Sequence, residues 1–227
     1  MIEPTLAREW ALWRAGARRV AGVDEVGMAC LAGPVVAAAL VVKPHCRKIP
    51  GVRDSKTLSL QQREKLYPEI LRRCAAVGIG AASVVEINKL NIYHASHLAM
   101  WRALRRVQPV DHALIDGNNI RDMDLGPHTC VVDGDALSYA IASASIVAKV
   151  TRDRLMHKLA ERYPGYGWEQ NVGYATPHHR RALRQQGLTP FHRAAFGTVR
   201  LMLLQPTTLD DLVEQLESQE AAVPALA

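Results

Sequence analysis

From Ala140 to Ala148 the chain reads Ala-Ile-Ala-Ser-Ala-Ser-Ile-Val-Ala, small or apolar at every position. Ser138 supplies a cap ahead of it, so the pattern predicts a helix over 138–162. A helix that is apolar all round must be buried, and side chains this small let another backbone come close. The fold therefore has to be built around this segment. Its second half, from Lys149, is charged and is expected to project beyond the core.

Other elements arrange themselves about that helix. Three strands are predicted, Arg19–Glu25, Val35–Lys43 and Ala75–Val84, each rich in Val or Ala and flanked by Gly or Pro. Helices are predicted over Thr5–Ala15, Ser59–Arg73 and Asn91–Val107. Two more short strands follow, His112–Ile115 and Thr129–Val132, each running into an acid-glycine element, Asp116-Gly117 and Asp133-Gly134-Asp135. Residues 163–200 are rich in Gly, Pro, His and Arg, with one short helix expected at Pro177–Gln186. Early clustered strands followed by alternating elements predict an α/β protein, a mixed sheet flanked by helices. The 227 residues suit one domain with an appendage.

Charge narrows the partners. The chain has 28 Lys and Arg against 22 Asp and Glu, but five acids (Asp210, Asp211, Glu214, Glu217, Glu220) and no base lie beyond residue 204. Residues 1–204 thus hold 28 bases against 17 acids, a net +11 that favours a polyanion. The tail, 205–227, has Leu209, Leu212, Val213 and Leu216 at helical spacing and is expected to form a short acidic helix or arm. No apolar run approaches the roughly 20 residues of a membrane span. Four scattered cysteines without a CxxC pair suggest neither a zinc ribbon nor a disulfide framework. A soluble, cytoplasmic, monomeric protein is expected.

Four acids stand out by position. Asp24 and Glu25 end the first strand, Asp116 ends the fourth, and Asp135 precedes the buried helix. Singly, each is ordinary turn chemistry. Gathered at one sheet edge, carboxylates repel and their pKa values rise unless a cation intervenes. An all-oxygen set without His or Cys points to Mg²⁺ or Mn²⁺. Adjacent strand residues face opposite ways, so a bend at Gly27 is expected to bring Glu25, or its carbonyl, into range of the site.

The blocks VDEVGMACLAGPVVAAAL (23–40), DSKTLS (54–59), LNIYHASHLAMWRAL (90–104), LIDGN (114–118), GDALSYAIASASIVAKVTRD (134–153), YPGYGWEQNVGYAT (163–176) and FHRAAF (191–196) resemble, in order, those of ribonuclease HII. The resemblance implies a ribonuclease H-like fold, a five-stranded mixed sheet flanked by helices with a small helical C-terminal extension from about residue 155. It implies a catalytic domain over 1–204. It also implies an endonuclease that cuts RNA strands, or single embedded ribonucleotides, in duplex with DNA, using two Mn²⁺ or Mg²⁺ ions. Asp24, Glu25, Asp116 and Asp135 match the family's four metal-binding acids. Lys56 matches its lysine near the scissile phosphate, and Tyr174 its tyrosine that senses the 2′-hydroxyl. Products would carry 5′-phosphate and 3′-hydroxyl ends.

The chain departs from the family on the side that faces substrate. Where Gly-Arg-Gly usually follows the first acids, it has Gly27-Met28-Ala29. A lost charged hydrogen bond of about 1.5–3 kcal/mol corresponds to roughly 10- to 100-fold in binding or rate. Impaired or altered junction specificity, with the metal site kept, is the expectation. Val172 stands where lysine is frequent, Asp133 where a base is common, and Ala195 where serine is. Lys56, Lys149, Arg152, Arg180, Arg181, Arg184 and Arg193 are candidate phosphate contacts, while Lys149 could equally pair with an acid. His178, His179 and His192 and the four tryptophans are expected mostly to pack or cap. Two alternatives remain open: the ribonuclease HIII type, with its preference for long hybrids, and a nucleic-acid binder with little turnover.

Overall fold

The computed structural model describes residues 3–120 and 123–204; the acidic tail expected over 205–227 lies outside them. In chain order the elements are α1 (Ala7–Arg14), β1 (Val20–Val26), β2 (Val35–Val42), a 3-10 turn (Ser55–Thr57), α2 (Leu60–Arg73), β3 (Ala76–Ala82), α3 (Val84–Leu90), α4 (Ile92–Arg105), β4 (His112–Asp116), β5 (His128–Val131), α5 (Gly134–Leu137), α6 (Tyr139–Arg162), α7 (Trp168–Asn171), α8 (Pro177–Gln186) and α9 (Gly197–Leu204). The five strands form one sheet in the order β3-β2-β1-β4-β5. β1, β2 and β3 pair antiparallel, whereas β1–β4 and β4–β5 are parallel. The mixed sheet flanked by helices is as expected.

Strand alternation divides the core into two layers. Val20, Ala38, Leu40, Val42 and Leu114 face α6, and Ala21, Val23, Ala37, Ala39, Val41 and Ile115 face α4. The all-apolar run of α6 is buried from Tyr139 to Ala148. Its closest approach to the sheet is at Gly22, where a methyl group would overlap the Ala140 backbone. Sequence composition and packing thus meet at one contact: only glycine on β1 and alanine on α6 let strand and helix backbones touch. α4 docks likewise, over Gly78 and Gly80 of β3, where a methyl would overlap the Ala103 and Ala99 carbonyls.

Some boundaries differ from expectation. The third strand stops at Ala82, because Ser83 and Glu86 make a reciprocal capping box that starts α3. The region 163–204 holds three helices rather than one. α7 is a single turn flanked by left-handed residues, and α9 has no polar cap signal in its sequence. Buried Glu9 accepts hydrogen bonds from the Ser138 hydroxyl (2.6 Å) and the Ala140 amide (2.8 Å), fastening α1 to the start of α6. A carboxylate there also meets the positive end of the helix dipole. Among the described residues no helix is long and apolar enough to cross a membrane.

Candidate active site

The site begins where one ladder ends. β1 pairs with β2 along its whole length to Val26↔Val36, but its pairing with β4 stops at Val23↔Ile115. Beyond that rung two parallel strands separate at their carboxyl ends, the usual place for a ligand crevice in such a sheet. Asp24 and Glu25 occupy the unpaired side of β1, and Asp116 is the last residue of β4. Asp135, on α5, comes in beside them because the Gly134 amide donates to Asp116 Oδ1 at 2.7 Å.

No bend is needed to recruit Glu25, which corrects the expectation placed on Gly27. Glu25 stays in register opposite Ala37 and points toward α4, while Asp24 points toward α6. The two acids flank the end of the sheet instead of sharing a face. Gly27 has another duty: its φ of +99° suits glycine, and a methyl there would overlap the Arg152 guanidinium.

Asp24 feels the charge of the other three acids. Burial raises Asp24 well above the usual carboxylate range, and Glu25, Asp116 and Asp135 raise it further; a hydrogen bond from Ser145 opposes them. Burial, then Asp116, pushes Glu25 up to about 7. Asp116 and Asp135 are also raised, chiefly by burial, with Lys56 opposing. Lys56 lies 3.3 Å from Asp135 Oδ2 with its side chain 78% exposed. Burial would lower its own pKa, but Asp135 and Asp54 outweigh that and raise it. Among the described residues no three His, Cys, Asp or Glu side chains already close into a cage for a metal ion. The set nevertheless fits a hard divalent cation: it is all oxygen, desolvated and mutually repelling, which is the conflict a cation removes.

Of the residues expected to meet substrate, Lys56 stands beside Asp135, and Tyr174 lies beside Lys149 of α6. Ser145, Lys149 and Asp153 follow one another at four-residue intervals along α6. Ser145 bonds Asp24 and lies 2.8 Å from the Ser55 hydroxyl. Lys149 pairs with Asp153 at 2.8 Å and sits 5.6 Å over the Tyr174 ring. Tyr174 is 37% exposed, and burial raises its phenol, with Cys30 beside it. Ala29 is exposed, whereas Met28 is half-buried against the α4 layer.

Two proposed phosphate contacts are something else. Arg152 and Arg193 are fully buried. Arg152 donates to the carbonyls of Pro34 (3.0 Å), Val172 (2.9 Å) and Ala32 (3.0 Å). Arg193 donates to Gly33 (3.0 Å) and Met28 (2.9 Å). Together they pin the loop 27–34 from behind, with burial pulling Arg193 down to about 10. Lys149 is likewise taken up by its acid. His179 and His192 are buried, 3.1 Å apart, with Trp168 donating to His179 at 3.0 Å. Nothing in the sequence marks these arginines as internal, since their acceptors are backbone carbonyls rather than acids.

A family model, Ribonuclease HII, matches residues 21–199. The chain belongs to the ribonuclease HII family. It is 55% identical to the Ribonuclease HII of Thermosynechococcus vestitus, covering 86% of this chain and 92% of that one. It is 51% identical to that of Paracoccus denitrificans, covering 90% and 97%. Among solved structures, the protein in the PCNA:RNase HII complex from Archaeoglobus fulgidus is 25% identical with a TM-score of 0.67, covering 85% of this chain and 99% of that one. Bst-RNase HIII in complex with Mn²⁺ shares the fold at 21% identity and a TM-score of 0.63, covering 85% and 71%. As a ribonuclease HII family member the chain is a hydrolase, an endonuclease of the ribonuclease H class. The four acids lie within the matched span, as does the Gly27-Met28-Ala29 departure.

Proposed function

We propose that the protein hydrolyses the RNA strand of RNA–DNA hybrids, and single ribonucleotides embedded in duplex DNA, at the crevice between β1 and β4. The observation that carries this is the set of four neighbouring acids where β1 and β4 part. Asp24, Glu25, Asp116 and Asp135 would hold two divalent cations, Mn²⁺ or Mg²⁺. When bound, such ions would supply activation of a water for attack on the phosphate and stabilisation of the leaving oxygen, and the products would carry 5′-phosphate and 3′-hydroxyl ends.

The chain's own groups do the positioning. Asp24, buried between β1 and α6, is held in one orientation by Ser145 and by the Glu25 amide, 2.7 Å from its Oδ1. Lys56, exposed at the rim, offers a positive charge to a phosphate and is drawn toward the acids by Asp135. Tyr174 offers a phenol to the 2′-hydroxyl, the group that separates RNA from DNA. The pinned loop presents Gly27, Met28 and Ala29 at the junction without a guanidinium, so discrimination of the RNA–DNA junction rests more on Tyr174. The +11 on residues 1–204 supports a duplex partner.

The test is cleavage of a uniform hybrid and of a single-ribonucleotide duplex, each with Mg²⁺ and with Mn²⁺, by the protein and by Asp24→Asn. Loss of several kcal/mol of charge stabilisation predicts about a thousandfold slower cutting by the variant. Equal rates would overturn the assignment. A preference confined to long hybrids would favour the ribonuclease HIII type of specificity.

A further inference from the structure

Lys56 sits on the 3-10 turn Ser55–Thr57, a form with poorer hydrogen-bond geometry than an α-helix. Asp54 caps the turn, its carboxylate accepting from the Lys56 amide at 2.9 Å. The Lys56 side chain then runs out, largely exposed, to Asp135. A lysine is a point charge on a flexible four-carbon stem. Where its ammonium can reach is therefore set by where its backbone is fixed.

Arg63 of α2 fixes that backbone from beneath. Its Nη1 donates to the carbonyls of Ser55 (3.0 Å) and Leu58 (2.6 Å), which bracket Lys56. Its Nη2 lies 3.7 Å from Asp153 Oδ2 of α6, and Asp153 Oδ1 accepts from Lys149 at 2.8 Å. The Arg63 side chain is 12% exposed and that of Asp153 is 6%. The same turn meets α6 a second time, where the Ser55 hydroxyl lies 2.8 Å from that of Ser145. Ser145 and Asp153 are eight residues apart, about 12 Å along a helix. Two attachments so far apart fix the tilt of the turn as well as its place.

We propose that Arg63 is a positioning residue for the reaction: it braces the Lys56 turn against α6 and so sets the ammonium beside the acids. The inference rests on the nuclease reading above. Arg63 touches the turn's carbonyls and Asp153, so its influence on a phosphate at the crevice passes through Lys56. Only a planar guanidinium offers donors in a fixed fork for two carbonyls and a carboxylate at once. Loss of the brace lets the ammonium wander, and a misplacement of about 1 Å can cost roughly a hundredfold in rate.

The experiment is a double-mutant cycle of Arg63→Gln and Lys56→Ala in the full chain, on a duplex with one ribonucleotide. Cleavage is measured with Mn²⁺, binding by fluorescence anisotropy with Ca²⁺, and both below the melting temperature of every variant. Arg63→Gln should slow cleavage about ten- to hundredfold when Lys56 is present. With Lys56→Ala already in place it should cost no more than about twofold, the margin within which independent sites add. A residue that merely holds the fold together would cost the same in both backgrounds. Arg63→Lys keeps the charge beside Asp153 without the fork and gives the same cycle if the glutamine variant does not fold. Equal effects in both backgrounds, zero included, would overturn the brace and leave the nuclease standing. Coupling seen in binding while none of the proteins cuts would keep the brace and overturn the nuclease.

Discussion

Asp24 bears the largest electrostatic burden, being buried with three acids against it. Replacing it with asparagine removes repulsion along with function. Asp24→Asn should therefore raise the melting temperature of the protein in chelator by several degrees, about 1–2 kcal/mol, while slowing cleavage as described above. A melting point that falls would mean the carboxylate stabilises the fold. Arg193 makes the opposite case. Arg193→Ala would leave the Met28 and Gly33 carbonyls without donors, costing about 2–4 kcal/mol, and should show as a lowered denaturation midpoint with raised KM. The position of the four acids was legible in the sequence because each follows a hydrophobic strand or precedes a buried helix. The duty of Arg152 and Arg193 was not, because an arginine on the surface and one bound to backbone carbonyls read alike.

At the scale of elements, the capping box of α3 is a local signal that a β-rich run conceals. Val84 and Val85 favour a strand by composition, but Ser83 and Glu86 satisfy the first helical amides, and the helix wins. Ser83→Ala should cost about 1 kcal/mol, read by urea denaturation. The Glu86–Arg102 pair then ties α3 to α4. The C-terminal helices depend on a different cluster. His179 and His192 both titrate below the usual histidine range, chiefly through burial; His178 lowers His179 further, and His179 helps to bring His192 down to about 4. Unfolded, each would take up a proton near pH 6.5. The unfolded chain thus binds more protons between about pH 6.5 and 4, and stability should fall as pH drops through that window. His192→Gln should flatten the slope of melting temperature against pH there.

Whole-molecule charge bears on binding more than on fold. Removing residues 205–227 takes the formal charge from +6 to +11. Affinity for an RNA–DNA duplex should rise on truncation at low salt, and the difference should shrink as salt screens it. Equal affinities at low salt would show that the acidic segment does not compete with the duplex. The overall architecture was readable because the apolar run of α6 could only be internal, and Val- and Ala-rich strands, buried along most of their length, had to lie against it. The order β3-β2-β1-β4-β5 came from pairing between distant segments, which local periodicity does not record.

The contact of α6 with Gly22 has a mechanical meaning. Strand and helix touch backbone to backbone there, and the same straight rod then carries Ser145 beside Asp24 and Arg152 behind the loop 27–34. Seven residues of helix separate those two side chains, about 10 Å at 1.5 Å per residue. The rod is a gauge: the support of Asp24 and the support of the loop 27–34 are mounted on one bar, so the distance between them is set when the bar seats against Gly22.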